Sequence, residues 1–585
     1  MSQLDEIQNK YNTEVTRRPV GYRASILGYD GDPNDATAPN DLKNAPAGTF
    51  YVRDTTLLER HIKKSSAPAS WENFGAGTRT VESITVTIDP AETEIPPPAA
   101  VFESQAAVDE WLSDNGVSAF KYIQDFISVL PEEIAYSIIL NLVSGTIEPR
   151  TGEPLYFIGA GTKMVLRDTV GGLNGGSISL VGEYDDNNMD SWTVVDGPET
   201  IIGYQLDDEV TGYTEPYWDF AASTFPTDDS LIGRFALDSD GNWGVIYDHT
   251  DSRIYVNRVL STTPTNGVTT VSVIQPPVVL DSNYTADASI VHRPTVIGDP
   301  DTAFVIGNLE LSYLTLTMTG ELNAGVVSVN GPHARVEYCV MRPYGGGSAF
   351  PFGGGLRLEC SHSVRLDYVG IWQEALNGSP NAWLFGDSVL LQGCVFHGNT
   401  NLSSVRVRGT LQLWAGNVWV NFEPGGGAAI FDFGYAGLSV NGSIRSISSI
   451  GGSMPNLFLR GLSAKPAIEV YGGEVLNVGS DSRFDLGYIE FDTCLGPCIR
   501  IGPGVQAYFG PGPNASVGAS PTDRSGCNDV GFDIRGTNVR LLLPAATNIT
   551  GTVGDIRLPD GTIASYADVD GGSQWPSDVF IERIV

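Results

Sequence analysis

Residues 302–420 carry an eight-residue pattern, apolar-x-apolar-x-x-apolar-x-apolar, at near-regular intervals. Its copies are Leu309-x-Leu311-Ser312-Tyr313-Leu314-x-Leu316, Ala334-x-Val336-Glu337-Tyr338-Cys339-x-Met341, Val364-x-Leu366-Asp367-Tyr368-Val369-x-Ile371 and Val389-x-Leu391-Gln392-Gly393-Cys394-x-Phe396. A distant copy reads Phe484-x-Leu486-Gly487-Tyr488-Ile489-x-Phe491. Alternation of period two on both sides of a two-residue break describes two short strands that share an inward face around a corner. A shorter strand precedes most copies, at 326–329, 356–359, 383–385, 405–407, 430–433 and 457–459. These strands recur about every 22 to 30 residues, the spacing of a solenoid of stacked units. One strand, a loop and a cornered pair per repeat make one coil of a parallel β-helix. An antiparallel sandwich shows the same alternation, but it needs hairpin turns between neighbours and gives the corner no fixed place. Here the corner recurs in register, which favours the parallel stack.

The chain has 585 residues, more than one compact core usually serves, so either several domains or a one-dimensional stack is expected. Sixty-eight Gly and only 18% charged residues suit a turn-rich all-β protein. A formal charge of -35 sets simple electrostatics against a nucleic-acid partner. No run of about 18 apolar residues is present, so no membrane insertion is expected, and MSQLDEIQNKYN lacks the regions of a signal peptide. Synthesis in a cytoplasm follows as the expectation. Six Cys in this length do not form a disulfide framework. Cys339 and Cys394 take the same inward position two coils apart, roughly 9 to 10 Å along the stack, too far to bond. Cys494 and Cys498, in CLGPC, have no further ligand nearby for zinc and read as a loop pair of free thiols.

Residues 1–100, rich in Pro, Asp, Ala and Thr, contain an extended arm at 31–46 and a small meander around Tyr51-Val52, Leu57-Leu58 and Trp71, closed by the stiff linker IPPPAA. Two helices are expected over 101–134. Ser104 or its neighbour caps SQAAVDEWLSDN, and Ser118 caps SAFKYIQDFISVL, whose Phe120, Ile123, Phe126, Ile127 and Leu130 share a face. Such a face suits the apolar end and open strand edge of a stack, which need a cover. Strands at 138–142, 164–167 and 177–181 make a first coil within 135–184. The ladder is then interrupted over 185–300 by a small antiparallel unit. Inside it Asp238-Ser-Asp240-Gly-Asn242 resembles the start of a calcium loop, but His249 stands where the twelfth-position acid belongs, so a hairpin turn is expected and no metal. The stack resumes over 301–542, and residues 543–585 read as a terminal hairpin that caps it or joins chains.

The run FKYIQDFISVLPEEIAYSIILNLVSGTI (residues 120–147), followed by GGSISLVGEY (175–184), resembles the start of the β-helix in phage tailspike and tail fibre proteins. The resemblance covers the helix and first coil, the later ladder matches by architecture, and residues 1–100 match anchoring regions in general character. It implies a right-handed, pectate-lyase-like parallel β-helix and a homotrimer located on the virion. It further implies attachment to tail or capsid proteins through residues 1–100, and recognition of a host surface polysaccharide with no cofactor. A polysaccharide-cleaving enzyme, either an endoglycosidase or a lyase, is the main alternative, and a structural capsid spike the third.

Enzymes of that kind use carboxylates on the outside of the stack or between subunits. Glycoside hydrolysis needs a proton donor with a nucleophile or base, at about 5 Å or about 6.5 to 9.5 Å. Glu337 and Asp367 hold equivalent corner positions in adjacent coils, about 5 Å apart, and Glu374 follows in the same loop. Acidic residues that merely solvate corners give the same pattern. Tyr313, Tyr338 and Tyr368 occupy successive corners, with Trp372, Trp383, Trp414 and Trp419 nearby. Of these, Tyr338, Tyr368 and the four tryptophans are the candidate glycan-binding rings, since flat rings on an open wall hold sugar faces. Tyrosines that stabilise the corner by stacking, beside tryptophans that fill the core, are the other reading.

Overall fold

The computed structural model describes residues 26–29, 50–53, 60–63, 71–73, 83–99, 102, 104–127, 137–148, 177–206, 216–222, 224–258, 260–282, 291–292, 308–318, 327–342, 356–377, 382–400, 405–413, 418–422, 431–433, 441–446, 457–461, 468–470, 475–480, 489–492, 496–509, 528–544, 550–571, 575–576 and 578–584. The chain divides into two units, Met1–Glu82 and Ser83–Val585. In the first, Ile26–Tyr29 runs parallel to Phe50–Arg53, which continues antiparallel through Arg60–Lys63 to Trp71–Asn73. The expected meander is thus present, extended by one parallel strand.

The second unit is all-β and mostly parallel. Its strands fall into three ladders that the chain visits in turn. Ladder B starts at Ile84–Ile88, passes through Ile138–Leu142, Ser177–Gly182 and Asn308–Ser312, and ends with Val539–Pro544 beside Val579–Ile584. Ladder C runs from Gly145–Ile147 through Val278–Ser282, Thr315–Met318, Val340–Arg342, Gly370–Asn377 and Val395–Thr400 to Ile489–Asp492. Ladder A joins the first halves of Val327–Glu337, Leu356–Asp367, Ala382–Gln392 and Val405–Leu413, then Phe431–Phe433, Ile468–Val470, Ile499–Ile501, Val530–Ile534 and Gly554–Arg557. Those long strands bend at register shifts and carry ladder A into ladder B.

The repeated apolar positions explain the stack. Leu309, Leu311, Leu314, Leu316, Val336, Cys339, Met341, Val364, Leu366, Val369, Ile371, Val389, Leu391, Cys394 and Phe396 are all buried in one continuous core. Polar residues alternate with them outward, as a strand period of two requires. Cys339 and Cys394 are buried free thiols, and burial pushes both up to about 12, so they act as small apolar residues. Cys498, by contrast, is disulfide-bonded, which corrects the reading of CLGPC as free thiols; Cys494 lies outside the described residues.

Several boundaries move. Ile84, Val86 and Ile88 alternate inward and pair with Ile138–Leu142, so the stack begins ahead of residue 101 and the linker IPPPAA lies within it. Helix α1 (Gln105–Asp114) is capped by Ser104, whose hydroxyl accepts from Ala107 N at 3.3 Å. Ser118 does not cap a helix. Its hydroxyl donates to Glu92 at 2.9 Å, Phe120 bridges to Ile88 like a strand residue, and the described part of α2 is Ile123–Ile127. The aromatic face still covers the stack end, with Trp111 stacked on Phe120 at 5.1 Å and Phe102 and Phe126 packed beside them. Gln105 completes the cover: its Oε1 accepts from Thr85 N at 2.7 Å and its Nε2 donates to Thr85 O at 3.0 Å. Residues 164–167 lie outside the described residues, and 457–461 belongs to ladder C rather than to the short-strand series expected before the corner.

The interruption is an antiparallel sheet whose strand order puts Gly203–Gln205 at one edge and Thr193–Thr200 at the other. It leaves ladder B at Gly182 and returns to ladder C at Val278, well short of residue 300. Asp238–Asn242 is a hairpin turn, as expected. Asp238 accepts from Asp240 N at 3.0 Å and Asn242 N at 2.8 Å, with Gly241 at φ 86°. At the far end, Gly554–Arg557 and Ile563–Ala564 form the expected terminal hairpin, followed by α3 (Tyr566–Asp570) with a Ser565/Asp568 capping box.

Candidate functional site

The corner between ladders B and C is built from one stack of residues. Tyr313, Tyr338, Tyr368 and Gly393 stand at φ 60°, 50°, 52° and 56°, the left-handed region. A non-glycine residue there costs about 1–2 kcal/mol, so something must offset it at three successive tyrosines. The rings do so by packing on each other, Tyr313 to Tyr338 at 5.4 Å and Tyr338 to Tyr368 at 5.3 Å. Gly393 ends the series, because a Cβ there would stand 2.5 Å from the Tyr368 ring.

These rings do not form an open wall. The chain leaves the stack at Gly182, directly below Tyr313, and the inserted sheet folds back over them. Trp243 meets Tyr368 edge-on at 4.8 Å and lies 5.7 Å from Tyr338, while the Arg258 guanidinium sits 4.0 Å over the Trp243 ring. Asn257 Nδ2 donates to Gly393 O at 2.6 Å. On ladder C, Arg342 donates to Ser230 O at 2.7 Å and Ile232 O at 2.8 Å, and its guanidinium lies 4.7 Å over Trp372. Gly370 allows the close approach of the two backbones, since a Cβ there would fall 1.8 Å from Gly233 O. Tyr338, Tyr368 and Trp372 are therefore part of the cushion that seats the insertion. Burial, with Asp186 next, pushes the Tyr338 phenol well above its ordinary range.

The carboxylates sit one residue before these tyrosines. Glu337 and Asp367 are paired across adjacent strands, as the repeat requires. The register also aligns Arg335 with Arg365 two residues earlier on the same outward face, and each arginine reaches its own strand's acid. Arg335 pairs with Glu337, and Arg365 Nε lies 2.5 Å from Asp367 Oδ2, with Arg335 Nε a further contact at 3.7 Å. Ser312 Oγ donates to Glu337 at 2.9 Å. Asp367 is only 3% exposed, and its Oδ1 has no hydrogen-bond partner among the described residues. Burial holds both carboxyls above the ordinary carboxylate range, although the arginines pull them down. A raised carboxyl is what a proton donor needs. A donor must also reach a glycosidic oxygen, and these two are lidded by arginine side chains.

Glu374 lies on the strand Gly370–Asn377, beyond the paired acids. Trp383 and Trp419 lie on Ala382–Gln392 and Val418–Phe422, and Trp414 is outside the described residues. Of the six candidate rings, Tyr338, Tyr368 and Trp372 belong to one cluster under the insertion; Trp383 and Trp419 are placed only by their strands. The arginine lid was legible as Arg-x-Glu and Arg-x-Asp in matching coils; a period of two puts those residues on one face. Among the described residues no group of three or more His, Cys, Asp or Glu is placed to hold a metal, and no helix is long and apolar enough to cross a membrane. No protein-family model, curated protein or solved structure matches the chain.

Proposed function

We propose that this chain is the attachment spike of a bacteriophage, tailspike or tail fibre: a right-handed parallel β-helix, assembled as a homotrimer on the virion, that holds a host surface polysaccharide. The observation that carries the reading is the in-register parallel stack. Its outward positions repeat about every 4.8 Å along three ladders, a rigid rail suited to a polymer of repeating sugars. Right-handed crossovers are the rule where parallel strands are joined within a sheet. Residues 1–100 are taken to join tail or capsid proteins, a reading that the compact unit Met1–Glu82 supports. One observation favours the enzymatic alternative, the raised carboxyls of Glu337 and Asp367, and their burial under arginine weighs against it.

The test combines sedimentation of the purified chain with its incubation on immobilised bacterial capsular polysaccharides. A trimer that retains polysaccharide and releases no reducing ends or unsaturated sugar is the expected result. Release of oligosaccharide that Glu337→Gln or Asp367→Asn lowers about 100-fold would replace adhesion by catalysis. A stable monomer would remove the spike.

A further inference from the structure

One edge of the inserted sheet carries a second group of rings and charges. Its last three strands, Gly203–Gln205, Tyr217–Asp219 and Arg253–Val256, are antiparallel and in register, with Tyr217 opposite Tyr255 and Asp219 opposite Arg253. Trp218 and Ile254 between them point into the insertion's own core. By the strand period of two, Tyr217, Asp219, Arg253 and Tyr255 share the other face, and all four are half-buried there. The Arg253 guanidinium is fixed from several sides. It lies 3.9 Å over the Tyr217 ring and 5.6 Å from the Tyr255 ring, its Nε donates to Asp219 Oδ1 at 2.5 Å, and its Nη1 donates to the Tyr255 hydroxyl at 3.0 Å. Arg253 Nη2 and Asp219 Oδ2 are left without a hydrogen-bond partner among the described residues. They are not sealed in, since the side chains of Arg253 and Asp219 are 34% and 29% exposed. Gly203, opposite Asp219, leaves that acceptor room: a Cβ there would stand 3.0 Å from Asp219 Oδ2.

We propose that this edge is a subsite for a neutral polysaccharide, gripping two adjacent hydroxyls of a sugar ring; the inference rests on the attachment reading and gives it a place and a class of glycan. A hydroxyl both donates and accepts, so one can donate to Asp219 Oδ2 while its neighbour accepts from Arg253 Nη2. Both bonds are charge-assisted, the stronger kind. The Tyr217 ring beside them offers apolar surface to the C–H face of the sugar. The preference for a neutral polymer follows from the pairing. Asp219 cancels the charge of Arg253, so the subsite has no surplus cation for an anionic sugar, and the chain's net charge of -35 opposes one.

The experiment measures retention by the full chain of dextran, mannan, galactan and polygalacturonate, each also after periodate oxidation, which cleaves vicinal diols. A neutral polymer should be held better than polygalacturonate, and oxidation should abolish its retention. Tyr217→Ala should weaken retention about 10-fold, while Tyr217→Phe keeps the ring and should leave it unchanged. Asp219→Asn leaves Arg253 unpaired, so retention of the neutral polymer should fall several-fold while that of polygalacturonate rises. This opposite pair of signals carries the test if Tyr217→Ala does not fold. Asp570→Asn makes the same change at the terminal cap, where Arg583 pairs with Asp570 and lies 4.9 Å over Tyr566, and should leave retention unchanged. Polygalacturonate held better than every neutral polymer, or oxidised polymer held as well as intact, overturns this inference and leaves the attachment reading standing. Full retention in both Tyr217→Ala and Asp219→Asn, or equal loss in Asp570→Asn and Asp219→Asn, overturns the assignment to this edge. Retention of no polymer removes the attachment reading and this one with it.

Discussion

Two corners of the stack adopt the same left-handed backbone with opposite chemistry. Near the carboxyl end, before Val505 and Val539, the residues are Gly504 at φ 76° and Asn538 at φ 58°, types that tolerate this conformation, and Asn538 is exposed. Between ladders B and C the same requirement is met by Tyr313, Tyr338 and Tyr368, which do not favour it. The bare corner uses residues that need no help. The costly one uses residues whose rings are repaid by stacking and by the insertion lying over them. The tyrosines thus stand where rings and the insertion pack on them, while the inward positions of both regions stay the same.

The largest effect tests the shared interior. Leu366→Ala, beside the tyrosine corner, and Leu541→Ala, beside Asn538, remove equally buried side chains. Each should cost about 2–5 kcal/mol in urea unfolding. A clear gap between the two would mean that the regions do not share one inward code.

A smaller effect separates the corners. Tyr338→Ala keeps the left-handed strain and loses the ring, whereas Tyr338→Gly loses the ring and relieves the strain. The alanine variant should therefore be the less stable, by about 1 kcal/mol. At Asn538, replacement by Gly should be nearly silent. If Tyr338→Gly is the worse variant, ring packing alone does not account for the corner.

The smallest is a pH effect at Asp367. Its carboxyl is raised in the folded chain by burial. The stability tied to it is therefore complete at pH below the ordinary carboxylate range and is lost as pH rises through the raised value. Melting temperatures of wild type and Asp367→Asn, compared between pH 4 and 7, should show the wild-type advantage shrinking as pH rises. An advantage that grows instead would mean that Arg365 outweighs burial.

The inward code was the legible part of this molecule, because a period of two leaves few alternatives for Leu309, Leu311, Leu314 and Leu316. What was not legible depended on partners distant in sequence. Ile84–Ile88 was missed as a strand because the prolines after it read as a linker, and its partner begins fifty residues later at Ile138. Ser118 resembled a cap until Phe120 paired with Ile88. The corner tyrosines read equally well as a sugar platform or as a stacked support, because nothing in their spacing says that Trp243, Asn257 and their sheet pack over them. At the acidic corner the signal was present and overlooked: Arg335 and Arg365 lie two residues before Glu337 and Asp367.

Gln105 gives the stack a direction. Its side-chain amide makes with Thr85 the donor and acceptor pair that another peptide would make, so part of the hydrogen-bonding edge of Ile84–Ile88 is already occupied. Phe120 takes more of it, accepting from Asp89 N and donating to Thr87 O. A strand from a second molecule arriving at this end finds those places filled. The cap thus shields part of this edge from the strand pairing by which cross-β fibres grow.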